Sequence, residues 1–381
     1  MPEQIGRYTV AKELGSGGMG EVYLAYTPSG DPVAVKLIRS DKLDSDTRAR
    51  FEKEALIART VIGTNRVARF LEADPFATRP WLAMEYVAGR TLLACVDQDG
   101  VLPIPQVASL GALLAEGLGA VHAAKLLHRD LKPQNVIMGK EGPMIIDFGL
   151  GAFMDTSMES LSHSGMIIGT VRCMPPEQAG GNPKVTPAAD VYALGTVLLY
   201  AAARHYPYDG AAWETVAVQV TNPQVGPNLN GVPKALKPLI SAMLAHAPED
   251  RPTLDHVAGE CRKLLESAGL KPADARLTLI ARTTAGDVPD AAEGSLSPSF
   301  KKLLEDQVKM MGPGTGSPLD GLQADAPGSE DTEQEGQVPK SVEPVESPAP
   351  EPRPRSADRR PPASKRVADE LRAAYAVDAE L

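Results

Sequence analysis

The chain has 381 residues, a formal net charge of −10 and three cysteines. That length holds one large domain or two modest ones with room for a tail, and a core of this size needs no covalent staples. The acidic balance excludes a nucleic-acid binder driven by bulk charge, and Cys95, Cys173 and Cys261 are too scattered for a disulfide framework or a zinc site, as in a reducing compartment.

The opening segment, MPEQIGRYTVAKEL, has no apolar run of the kind a secretory leader needs. No stretch approaches about 18 consecutive apolar residues, so the expectation is a cytoplasmic chain without a membrane span. YTVAKEL, GEVYLAYT and PVAVKLI alternate apolar and polar residues between Gly and Pro turns, which predicts three strands. SDTRARFEKEALIART follows with a Ser/Asp start and helical spacing. VARFLEAD and PWLAMEYV read as two further strands. The chain then turns helical: IPQVASLGALLAEGLGAVHAAKLL and PAADVYALGTVLLYAAAR are apolar all round, as buried helices are. A β-rich 1–90 followed by an α-rich 91–268 predicts two lobes of an α+β domain.

Residues 269–381 are rich in Pro, Gly, Ser and Glu and poor in aromatics, and are expected to be a mostly disordered tail because they bury too little apolar surface to offset chain entropy. Short helices are expected at 297–311 and 364–381. In the second, Val367, Leu371 and Tyr375 recur at every fourth position. Such a segment is either a transient solvated helix or a docking helix for a partner.

Four stretches carry residues suited to chemistry. In GSGGMGEVYLA, Gly15, Ser16, Gly17, Gly18 and Gly20 precede Val22. A G-x-G-x-x-G turn between two strands lets the backbone approach a polyphosphate and aim N–H groups at it. It is not a dinucleotide fingerprint, because a strand and not a helix follows. Ala34 and Lys36 lie on the next strand. A lysine there can hold phosphate oxygens if a carboxylate fixes its direction, and the following helix offers Glu52 and, nearer its apolar run, Glu54. LLHRDLKPQNVIM sets Asp130 between Arg129 and Lys132, with Asn135 five positions on. Asp147 closes an apolar strand, a costly place for a carboxylate unless it meets a cation. Together with the Asn135 oxygen it suits Mg²⁺, which takes few protein ligands.

The ordered set of Gly15, Gly17, Gly20 and Val22, then Val33 to Lys36, then His128 to Asn135, then Asp147, Phe148 and Gly149, resembles the protein-kinase signature over roughly residues 8 to 265. GTVRCMPPEQ, at 169–178, strengthens it. HRDLKPQN resembles the Ser/Thr branch, and GSGGMGEVYLA and PPEQ look most like the bacterial, eukaryotic-like Ser/Thr kinases. The resemblance implies a bilobal kinase fold, ATP with Mg²⁺ (Mn²⁺ as an alternative ion), and protein substrates bearing Ser or Thr hydroxyls. It further implies that the glycine loop covers the phosphates and that Lys36 holds them while pairing with Glu54. Asn135 and Asp147 would bind the metal, Asp130 would accept the substrate proton, and Lys132 would steady the γ-phosphate. In this reading the cations beside Asp130 serve other partners. Met84 is the implied gatekeeper, with the backbone of Glu85 and Val87 meeting adenine. Thr170 would bond Asp130 and Lys132. Asp190 would accept backbone N–H groups of the catalytic loop, and Glu177 would pair with Arg251. His128 is read as structural.

The resemblance also implies paired autophosphorylation sites at Ser162 and Ser164, where a phosphate would bind Arg129 and order the segment. Activation in trans would require a transient kinase dimer. Two positions depart from the family pattern: Pro175 stands where Ala or Ser is usual, and VIGTNRVARFLEAD lacks the usual His-Pro motif. A pseudokinase scaffold and a small-molecule kinase are the competing readings. Retention of Lys36, Asp130, Asn135 and Asp147 argues against the first, and the complete glycine loop with GTVRCMPPEQ against the second.

Overall fold

The computed structural model describes residues 1–17, 20–38, 45–61, 64–147, 171–182 and 185–284. Gly18, Phe148, Gly149, Ser162, Ser164, Thr170, the two expected tail helices and the Glu54 side chain lie outside the described residues.

Alternating residues build the first half. Strands β1 (Gln4–Ile5), β2 (Tyr8–Gly17), β3 (Gly20–Tyr26), β4 (Pro32–Ile38), β5 (Phe70–Asp74) and β6 (Trp81–Glu85) form one antiparallel sheet in the order β1-β2-β3-β4-β6-β5. In β4 the period of two sorts side chains to opposite faces. Val33, Val35 and Leu37 join Tyr8, Tyr23 and Trp81. Ala34 and Ile38 join Leu82 and Met84, with Phe51 and Ala55 of helix α1 (Ser45–Ala58) closing that cluster. Lys36 stands between Ala34 and Ile38 in the alternation and so emerges on the α1 side. Gly20 opens β3 where only glycine fits: a Cβ there would lie 1.8 Å from the Leu37 carbonyl oxygen, at a φ of +149°.

A second sheet of β7 (Gly89–Thr91), β8 (Val136–Gly139) and β9 (Gly142–Ile145) leads into the helical part, in the order β7-β8-β9. The helices are α2 (Leu92–Asp99), α3 (Ile104–Ala123), α4 (Pro176–Ala179), α5 (Pro187–Ala203), α6 (Trp213–Thr221), α7 (Lys237–Met243), α8 (Leu254–Ser267) and α9 (Pro272–Thr284). Helix α3 is long and apolar enough to cross a membrane by length and composition. In this fold its Val107, Leu110, Leu114, Leu118 and Val121 are enclosed by Leu194, Leu198, Ile240, Val257, Cys261 and Leu279 of neighbouring helices. The three cysteines are free and buried, and burial pushes the Cys173 and Cys261 thiols up to about 12, which leaves them inert.

The expected tail boundary at 269 is corrected. Residues 272–284 form α9, whose Ala275, Leu279 and Thr283 are buried at a spacing of four. A single helical stripe of small and apolar side chains is enough to seat it on α3 and on the second sheet, although the composition around it is that of a solvated segment.

Candidate active site

Strand β4, the segment from His128 to the 3-10 turn Pro133–Asn135, and the residues just past β9 carry the polar groups, and helix α5 fixes the second of these. Asp190 lies in the first turn of α5, is 1% exposed, and accepts three hydrogen bonds. His128 N–H donates to Oδ2 at 2.9 Å, Arg129 N–H to Oδ1 at 2.9 Å, and the His122 ring Nε2 lies 2.7 Å from Oδ2. Burial works to raise the Asp190 pKa, but the His122 bond, the neighbouring imidazoles and the His128 N–H outweigh it and hold the carboxyl below its ordinary value. This anchoring supports a strained backbone: Arg129 has a φ of +63°, which costs a non-glycine residue about 1–2 kcal/mol. Gln178 of α4 adds a bond from Nε2 to the Arg129 carbonyl at 3.0 Å.

His128 is fully buried and ties the loop to the strand end. Its Nδ1 accepts from the Asp130 N–H at 3.3 Å, so Nε2 carries the proton and donates to the Ile146 carbonyl at 3.1 Å. Burial pushes its pKa down, which keeps that tautomer neutral. The imidazole therefore ties the Asp130 backbone to the residue past β9 and is itself enclosed.

Asp130, Lys132 and Asn135 form one network. Lys132 Nζ lies 3.0 Å and 2.8 Å from the two Asp130 carboxylate oxygens. The expectation that the neighbouring cations serve only other partners is thereby corrected for Lys132. Asn135 donates from Nδ2 to the Asp130 carbonyl at 2.8 Å and to Asp130 Oδ2 at 3.2 Å. The amide's N–H side is thus committed, which leaves its oxygen as the group for a cation.

Asp147 follows β9 by two residues, at a φ of +61°. Its Oδ2 meets Lys36 Nζ at 3.0 Å, and both side chains are largely buried. Burial alone would raise the Asp147 pKa. Lys36, by charge and by hydrogen bond, with Lys132 beyond it, keeps it below the ordinary value. The bridge links β4 of the first lobe to the strand end of the second. Among the described residues no cluster of three or more His, Cys, Asp and Glu side chains forms a self-contained metal site. One amide oxygen and one carboxylate suit a hard ion that takes its remaining ligands from water and phosphate.

The strand face around Lys36 is apolar. Ala34 pairs in register with Met84, and Val22 packs on the same cluster. Glu85 directs its N–H to the Arg69 carbonyl at 2.8 Å, and Val87 lies two residues past β6. Gly15, Ser16 and Gly17 pair with Val22, Glu21 and Gly20 across the β2–β3 hairpin. A Cβ at Gly15 would meet nothing within 4 Å, so the protein's own packing does not call for glycine there. Farther from the cleft, Arg251 meets the Glu177 carboxylate with two bonds, at 2.7 Å and 2.8 Å. Its three other donors reach the carbonyls of Ala245, Ala188 and His246.

Some participants carry little signal in the sequence. His122 sits on a buried helix, where an imidazole reads as core filling, and its partner lies 68 positions away. Arg66 is buried in the segment that departs from the family pattern and donates to the Glu141 carbonyl at 2.6 Å.

An antiparallel lobe bridged by Lys36 and Asp147 to a helical lobe that holds Asp130 and Asn135 is the bilobal kinase architecture. Residues 8–261 match the protein kinase domain family, and the chain belongs to that family. It is 40% identical over 253 residues to the probable serine/threonine-protein kinase PkwA of Thermomonospora curvata, which covers 66% of this chain and 33% of that one. It is 41% identical over 253 residues to the serine/threonine-protein kinase AfsK of Streptomyces coelicolor, covering 66% of this chain and 31% of that one. The chain thus spans about a third of the length of these relatives. The crystal structure of the Mycobacterium tuberculosis PknI kinase domain matches 71% of this chain and 100% of its own, with a TM-score of 0.56 and 26% identity.

Proposed function

We propose that this chain is a Ser/Thr protein kinase that transfers the γ-phosphate of ATP to protein hydroxyls. The observation that carries the reading is the network of Asp130, Lys132 and Asn135 set opposite the Lys36–Asp147 bridge. Phosphoryl transfer needs positioning and charge neutralisation more than covalent help, and these five side chains supply both. Asp130 orients the incoming hydroxyl and takes its proton. Lys132 carries positive charge to the same place. Lys36 holds the α- and β-phosphates. The Asn135 oxygen and the Asp147 carboxylate hold Mg²⁺, which when bound neutralises phosphate charge, and Mn²⁺ suits the same oxygen pair. The backbone of Gly15, Ser16 and Gly17 covers the phosphates, with Val22, Ala34 and Met84 against the base. Because the Glu85 N–H already bonds Arg69, adenine meets the Glu85 carbonyl and the Val87 backbone.

The names of the relatives, each a serine/threonine-protein kinase, support Ser and Thr as acceptors. Arg129 supports activation by autophosphorylation: its Nε is buried without a hydrogen-bond partner among the described residues, as a receptor for phosphorylated Ser162 or Ser164 would be. The reading takes the cytoplasm as the compartment in which these substrates are met. The test is transfer of labelled phosphate from ATP to the chain itself and to a generic basic protein. Asp130→Asn is expected to lower kcat at least about a hundredfold with the fold intact. Transfer undiminished in that variant would overturn the assignment.

A further inference from the structure

Helix α9 begins eleven residues past the end of the family match at 261, yet it reaches the strands that carry the site. Arg276 Nη2 donates to the Glu141 carbonyl at 2.8 Å. Glu141 lies between β8 and β9, and Arg66 Nη1 donates to the same carbonyl at 2.6 Å. The Arg66 carbonyl in turn accepts the Ile145 N–H at 2.7 Å, and the Ile145 carbonyl accepts the Ala68 N–H at 2.9 Å. The far end of this hairpin is the site itself: Asn135 immediately precedes β8, its carbonyl accepts the Ile146 N–H at 3.0 Å, and Asp147 is next. At the other end of α9, Arg90 of β7 donates to the Thr283 carbonyl at 3.0 Å, and Arg282 donates to the carbonyls of Asp99 and Val101. Terminal carbonyls of a helix lack intrahelical donors, and a guanidinium satisfies them in both hydrogen bonding and charge.

We propose that α9 is a positioning element of the nucleotide site: by gripping the β8–β9 turn through Arg276 and strand β7 through Arg90, it sets the hairpin that presents Asn135 and Asp147. The inference goes beyond the kinase reading by adding residues 272–284 to the catalytic unit, and it rests on that reading only for the ligand. A short hairpin held at one end transmits a tilt to the other, and a ligand pair displaced by about 1 Å loses much of its effect. The link also connects the chain beyond residue 284, which continues directly from α9, to the metal ligands through hydrogen bonds.

The test uses the full chain with Arg276→Met, which keeps the stem and removes the donors, and Arg276→Lys as the conservative partner. Amide hydrogen exchange across 136–147 is one readout. Binding of ATP with and without Mg²⁺, followed by calorimetry, is the other. Expected for Arg276→Met are faster exchange in β8 and β9 and a three- to tenfold weaker binding of Mg·ATP, with metal-free ATP binding changed less than twofold. Arg276→Lys should recover part of both. Unchanged exchange in a folded Arg276→Met protein overturns the proposal, as does an equal loss of affinity with and without the ion. If Arg276→Met fails to fold, Arg90→Met is read in the same way for β7. If the unsubstituted chain binds no Mg·ATP, the kinase reading fails and exchange alone decides the role of α9.

Discussion

Gly15 and Gly20 share one motif but answer to different forces. Gly20 is required by the protein, since its Cβ would strike the β4 backbone. Gly15 faces open space, so under the proposed function its glycine serves the nucleotide. Gly20→Ala should therefore destabilise by about 3 kcal/mol or more, at the upper end of ordinary substitutions, in a denaturant titration. Gly15→Ala should leave the melting temperature within about 2 °C yet raise the KM for ATP by roughly fivefold, a loss near 1 kcal/mol of binding. Equal effects of the two on stability would refute the distinction. The Glu177–Arg251 pair gives a second contrast. Removing the carboxylate strands a buried guanidinium, so Glu177→Ala should cost about 3–5 kcal/mol by chemical denaturation. Arg251→Met should cost no less, because it also strips donors from three carbonyls.

At the scale of elements, the loop from His128 to Asn135 is held by ionisable groups whose protonation can be followed. His128 has a pKa below its ordinary 6.5, and Asp147 and Asp190 have values below their ordinary 3.8. In each case the unfolded chain binds more protons than the folded one between the two values, so stability falls as pH falls. The His128 contribution starts to be lost as pH drops through 6.5, the ordinary value. The aspartate contributions persist above about pH 4 and are lost below it, through the folded values. The melting temperature should thus decline in two stages. His128→Phe, though less stable throughout, should decline less steeply in the upper stage; an unchanged slope there would show that another group controls it. The members of this loop were legible as a motif, because HRDLKPQN keeps its chemistry within eight consecutive residues. Their supports were not. The bonds of His122 and of the His128 and Arg129 N–H groups to Asp190 span 61 to 68 positions, and no local pattern encodes such a meeting. The Lys132–Asp130 pair is the reverse case, a contact only two residues apart and inside the motif itself.

Across the whole molecule, the two lobes could be read from periodicity because a period of two and an apolar helix differ over long windows. β2, β3, β4 and β6 overlap the predicted strands, and α3 and α5 the predicted helices. Helix α9 escaped the same reading because only Ala275, Leu279 and Thr283 face inward, and composition averaged over its surroundings outweighs three positions. The energetic consequence is large for so short a segment. Leu279 is fully buried among residues of α3 and the rest of the main core. A chain ending at Thr284 should keep the melting temperature of the described domain, whereas one ending at Gly269 removes Ala275 and Leu279 and uncovers the apolar side chains beneath them. Losing one buried leucine alone costs about 3 kcal/mol, which in a domain of this size lowers the melting temperature by roughly 5 °C. Differential scanning calorimetry of the two truncations side by side measures this difference. Coincident transitions would mean that α9 rests on the core without stabilising it, and that the compositional boundary at 269 was the true one.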